Sequence, residues 1–135
     1  MILEDSYVKY RKYSSCCNNS IRLWKIKGVL YKNFRFQIEK ETYREERDSY
    51  KLDLKINGLY QIELFSFPNA PKRVTNPEAR GLRHLAFQVA NLEKEVEELN
   101  KNGISTEPIR VDEVTGKRFT FFRDPDDLPL ELYEK

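Results

Sequence analysis

One short pattern, present twice, constrains the fold more than any bulk property. Ile62-Glu63-Leu64-Phe65 and Leu130-Glu131-Leu132-Tyr133 each set a glutamate between two aliphatic residues and end on an aromatic. Such alternation is the mark of a half-buried strand. The two copies each read as the last strand of a module. From Gly81 onward the chain reads strand, helix, then three strands. A repeat on this scale predicts two βαβββ modules side by side, module one over about 12–67 and module two over about 81–135 of a single 135-residue domain. The expected class is α+β.

Local signals agree with this from Gln37 onward. Tyr50 to Ile56 alternates polar and apolar residues, and Asn57-Gly58 is a strong hairpin turn before a return strand over Leu59 to Phe65. Residues 67–80 are predicted as a connecting loop because they hold three prolines. Gly81 to Ala90 reads as a strand. Asn91 is placed to cap a helix running through Asn102, and Gly103 to end it. Leu92, Val96 and Leu99 form the apolar stripe of that helix, and its glutamates and lysines form a solvated face. Strands are predicted over Ile104 to Val111, Arg118 to Arg123 and Leu128 to Tyr133. Turns at Thr115-Gly116-Lys117 and Asp124-Pro125-Asp126-Asp127 separate them.

Composition narrows the functional classes. A net charge of +2 gives no field suited to nucleic acid. No apolar run reaches bilayer length, and no signal-peptide pattern opens the chain, so no membrane partner is expected. Cys16 and Cys17 are adjacent and unsuited to pairing with each other, which points to a reducing cytoplasm.

Strand parity singles out three side chains. After Gly81, Leu85, Phe87 and Val89 share one strand face, and His84 and Ala86 the other. Glu63 and Glu131 point away from the aliphatic residues flanking them. A curved sheet with its helices outside aims all three at one concave face, where an imidazole and two carboxylates suit a divalent metal. Against this stands a plainer reading: a lone strand histidine is commonly structural, and strand glutamates commonly face water.

Gly81-Leu-Arg-His-Leu-Ala-Phe87, Lys117-Arg-Phe-Thr-Phe-Phe-Arg-Asp-Pro-Asp126 and Leu128-Pro-Leu-Glu-Leu-Tyr-Glu134 resemble the vicinal-oxygen-chelate (glyoxalase, bleomycin-resistance, extradiol dioxygenase) superfamily. The likeness is to its small bacterial lactoylglutathione-lyase-like branch and covers residues 37–135. It implies paired βαβββ modules in a curved, mostly antiparallel sheet around a concave cavity. It also implies metal ligands at Glu63, His84 and Glu131, with Glu131 shuttling a proton as well. The implied activity is a lyase or isomerase of glyoxalase I type, working through an enediolate with Zn, Ni, Co, Mn or Fe(II). The implied substrate is a small carbonyl compound or thiol adduct, and the implied assembly a homodimer. Arg80, Arg83, Arg110, Lys117 and Arg118 are candidates for holding an anionic substrate. The same superfamily also contains metal-free resistance proteins that sequester a ligand, which is the competing expectation.

The fourth ligand is missing from the written chain. His84 lies 47 residues before Glu131, and a similar step back from Glu63 lands near Ser15, where the family carries a His-His pair followed by a helix ending in Leu-Gly-Phe. Back-translating Lys12 to Phe36 with A/T-rich codons and shifting the frame by one nucleotide permits NIHHAAIIRLDYGKSKEFYIKILGF, with its second histidine at position 15. A start codon also fits across Tyr7 and Val8. Residues 1–36 are therefore expected to be an out-of-frame translation, with the frame restored near Phe34–Gln37 and with no function for Cys16, Cys17 or Trp24.

Overall fold

The computed structural model describes residues 36–56 and 60–135, together with Lys25, Lys27, Gly28 and Gly58. The strand and helix expected before Gln37, and the position near Ser15, lie outside the described residues apart from Lys25, Lys27 and Gly28, whose backbone is helical. The chain forms two compact units, Met1–Ala70 and Pro71–Lys135.

In the first unit three strands form an antiparallel sheet in the order β1 (Gln37–Arg44), β2 (Ser49–Ile56), β3 (Tyr60–Phe65). A 3-10 turn, Glu45–Arg47, joins the first two, and Asp48 takes the left-handed conformation that closes it (φ 43°). Leu52 and Leu54 are fully buried from β2, and Phe36 joins them. Register sets Leu52 opposite Leu64 and Leu54 opposite Ile62, so the apolar parity of both strands falls on one face. β1 is an element the sequence reading did not assign. Gln-Ile-Glu-Lys-Glu-Thr-Tyr-Arg is mostly exposed and carries little apolar alternation.

The second unit delivers the strand–helix–three-strand order that was predicted. β4 (Leu85–Val89), α1 (Leu92–Lys101), β5 (Arg110–Val111), β6 (Arg118–Arg123) and β7 (Pro129–Glu134) give one sheet in the order β4-β7-β6-β5. β4 runs parallel to β7, and the remaining pairs are antiparallel. The helix begins where its cap places it: the Asn91 side chain accepts a hydrogen bond from the Lys94 amide at 2.9 Å. Gly103 ends it with φ 76°. Leu92 and Leu99 are buried, as are Thr120, Phe122, Leu130 and Leu132 of the sheet, and α1 packs on β7. Each fully buried leucine contributes about 1.5–3 kcal/mol by leaving water.

Two strand boundaries differ from expectation. Gly81 to His84 is not strand; β4 starts at Leu85. Gly81 has φ 109°, and Arg73 donates to the carbonyls of Leu82 and Arg83, so a side chain takes up groups that a ladder would use. Ile104 to Val111 is reduced to a bridge between Thr106 and Phe122 and the two-residue β5. Pro108 has no amide to give, and the Glu107 carbonyl accepts from the Thr120 hydroxyl at 2.7 Å instead of a ladder amide. Among the described residues no helix is long and apolar enough to cross a membrane.

Candidate metal and substrate site

Parity along β7 decides where Glu131 points. Leu130 and Leu132 are buried towards α1, so Glu131 and Tyr133 project from the other face. Along β6 the same rule buries Thr120 and Phe122 and leaves Phe119, Phe121 and Arg123 beside Glu131. Register places Ala86 against Glu131, and its small side chain leaves room there. His84, just before β4, has Nε2 3.2 Å from Glu131 Oε2. The Glu131 side chain is 13% exposed and that of His84 45%. Phe121 meets the imidazole edge-on, with centroids 5.4 Å apart and planes at 89°.

His84, though not Glu131, lines an open cleft of about 670 Å³, together with Thr75, Arg83, Arg110, Phe121 and Arg123. Its walls are tied together. The Thr75 hydroxyl donates to the Asp127 carbonyl at 2.9 Å, and Arg83 donates to the Thr75 carbonyl at 3.3 Å. The β6–β7 turn that carries Asp127 is held by Asp124, whose Oδ1 accepts from the amides of Asp126 and Leu128, both at 2.8 Å. Burial pushes the Asp124 carboxyl above the usual range, against those two amides, which lower it.

Of the three side chains singled out by parity, His84 and Glu131 are together. Glu63 belongs to the first unit. There Lys51 Nζ lies 2.5 Å from Glu63 Oε1 and 2.9 Å from Asp53 Oδ1, and the two carboxylates are direct cross-strand partners. Those acids, Glu63 first, hold the Lys51 ammonium above its usual pKa. Glu63 is 45% exposed. Among the described residues, no three His, Cys, Asp or Glu side chains are grouped so as to hold a metal ion.

The arginine candidates separate clearly. Arg83 and Arg110 line the cleft. Arg118 does not, being bound to Glu93 and Glu134, a pairing that raises the guanidinium pKa and lowers those of both acids. Arg123 lines the cleft but was not among the sequence candidates. The alternation of Arg118 to Arg123 already sets it on the same face as Phe119 and Phe121, and that signal would have found it.

The donor set and its strand placement invite comparison with known proteins. The sequence profile of the Glyoxalase/Bleomycin resistance protein/Dioxygenase superfamily matches residues 30–132. The chain belongs to this superfamily. It is 65% identical over 111 residues to YwkD of Bacillus subtilis (strain 168), a match spanning 82% of this chain and 87% of that one. The crystal structure of a glyoxalase family protein from Enterococcus faecalis superposes with a TM-score of 0.76 at 46% identity, over 82% of this chain and 87% of that one. More distant superfamily members keep the fold: a variant of FosX, the fosfomycin resistance protein of Listeria monocytogenes, aligns with a TM-score of 0.63 at 21% identity over 82% of each chain. That FosX crystal holds Mn(II) and dihydroxypropylphosphonic acid.

Proposed function

We propose that this glyoxalase-superfamily protein is a divalent-metal-dependent lyase or isomerase of glyoxalase I type, acting on a small carbonyl compound or thiol adduct. The observation that carries the reading is the His84–Glu131 pair, an imidazole nitrogen 3.2 Å from a carboxylate oxygen, with His84 lining a small-molecule-sized cleft. One neutral nitrogen and one anionic oxygen are half of a four-donor set suited to Zn, Ni, Co, Mn or Fe(II). Glu63 is the proposed third ligand, on the resemblance of its strand to that of Glu131. A homodimer is part of the same reading. When bound, the ion supplies Lewis acidity towards two neighbouring substrate oxygens. Glu131 does the proton work. Its Oε2 faces the imidazole, and Oε1 takes a proton from the carbon beside the carbonyl and returns it to the neighbouring carbon. Phe121, edge-on to the imidazole, fixes its orientation. A cytoplasmic location is part of the same reading.

The cleft's volume also supports a second reading, a metal-free protein that sequesters a small ligand. Metal content and turnover of a methylglyoxal–thiol adduct, measured on protein from the sequenced gene, separate the two. Stoichiometric metal that is lost together with turnover in His84→Ala supports the enzyme. A metal-free folded protein without turnover overturns it in favour of sequestration.

A further inference from the structure

Arg110 sits on the edge strand β5, with its guanidinium carbon 5.0 Å from the Phe119 ring centroid and 5.6 Å from that of Phe121. Contact with two rings that stand at 87° to each other holds the guanidinium beside the cleft, where its N–H groups can meet acceptors. One of its five donors goes to Glu107 Oε2 at 3.1 Å, in a pair exposed on both sides (52% and 44%) and therefore readily exchanged. Phe121 is the ring that also meets His84 edge-on. A single aromatic side chain thus lies between the guanidinium of Arg110 and the imidazole of the candidate ligand. Arg83 and Arg123 line the same cleft, against two lining carboxylates, Glu78 and Glu107. Arg83 approaches Glu78 only at 3.7 Å, and Arg123 meets Asp127 only at 3.4 Å. Arg118 and Arg73 are committed elsewhere, to Glu93 and Glu134 and to the carbonyls of Leu82 and Arg83.

We infer that Arg110, supported by Arg83 and Arg123, forms an oxyanion subsite beside the His84–Glu131 pair, so that the substrate is a small acid presenting a carboxylate or phosphoryl group to Arg110. This rests on the proposed enzymatic reading for the site's use, but anion binding itself needs no metal. A planar guanidinium fork favours bidentate oxyanions over neutral groups.

His84 is the single histidine of the sequence as written, so in protein of that sequence its imidazole C2 proton gives one resonance in NMR spectra. The full-length protein, stripped with EDTA, is titrated at fixed ionic strength with methylphosphonate in one arm and acetate in the other. A saturable shift of the His84 resonance is expected. Saturation by methylphosphonate at lower concentration assigns a phosphoryl group, and by acetate a carboxylate. Arg110→Gln should weaken binding roughly tenfold or more, the equivalent of losing a charge-assisted bidentate contact. Arg110→Lys should restore part of it, by keeping charge without the fork. Arg118→Gln should leave it unchanged. Absence of a saturable shift in both arms, or equal affinity in Arg110→Gln and the parent, overturns the inference. Metal content measured on the same samples keeps the two ideas apart. Anion binding without any metal uptake by the untreated protein removes the metalloenzyme reading and leaves the subsite standing.

Discussion

Replacing Glu131 by glutamine tests the centre of the functional argument, because its two consequences have opposite signs. The carboxylate is 13% exposed and faces an imidazole, so in metal-free protein its charge is held largely out of water. An isosteric amide removes that cost, and the variant in EDTA should be no less heat-stable than the parent. With metal the order reverses. A ligand at 100 times its dissociation constant stabilises the native state by about 2.7 kcal/mol. For a chain of this length each kcal/mol moves the midpoint by roughly 3–5 °C, so the parent should gain about 8–13 °C. Loss of a partner that merely orients a ligand weakens metal affinity by about 10–100-fold, so loss of a direct anionic donor should cost at least the upper figure. The metal-induced gain in Glu131→Gln then falls to about 1–2 °C. Thermal unfolding followed by circular dichroism, with EDTA and then with each of Zn, Ni, Co and Mn, reads both effects. An equal metal-induced shift in parent and variant, or a parent that no metal moves, would refute the reasoning.

Three further outcomes are expected. Asp124→Asn keeps an oxygen for the Asp126 and Leu128 amides while removing a charge that burial disfavours, so it should match or exceed the parent at neutral pH; Asp124→Ala orphans both amides and should cost about 2 kcal/mol in urea unfolding. The sign follows from the raised pKa of the folded state: Asp124 opposes folding above that pKa, and the opposition fades as pH falls. Asp112 behaves oppositely. The Val114 amide and then the Tyr133 hydroxyl hold its carboxyl below the usual range, so its contribution is present above the unfolded-state pKa and lost as pH falls through the folded one; the acid limb of stability should be shallower in Asp112→Asn. For the N-terminus, we propose that residues 1–36 are an out-of-frame translation, a reading that rests on the strand–helix string restored by a one-nucleotide shift of frame. The intact mass of the native protein should therefore differ from that of the written sequence, and agreement between them would remove the proposal.

The second unit was legible because its signals are local and mutually consistent. Asn91 caps, Gly103 terminates, and Gly116 with φ 71° turns the chain, each where the residue type alone places it. The strand boundaries that differ, at His84 and around Pro108, are set by non-local partners: Arg73 bonding the Leu82 and Arg83 carbonyls, and Thr120 bonding the Glu107 carbonyl. β1 was missed because a mostly exposed strand needs no apolar alternation. Its place comes from pairing with β2, for example Glu41 opposite Leu52.

The site divides along the same line. That Glu131 leaves the apolar face of β7 follows from period-two alternation, since Leu130 and Leu132 must go to the core. That His84 reaches it depends on the parallel register setting Ala86 beside Glu131, a pairing no local pattern specifies. The register then explains the composition of the cleft. Once β6 commits Thr120 and Phe122 to the core, Phe121 must stand against the imidazole and Arg123 must face the opening. Arg110 joins them because the two-residue β5 pairs it with Phe119. The two-residue end of the strand predicted over Ile104 to Val111 therefore positions the cation best placed to choose the substrate.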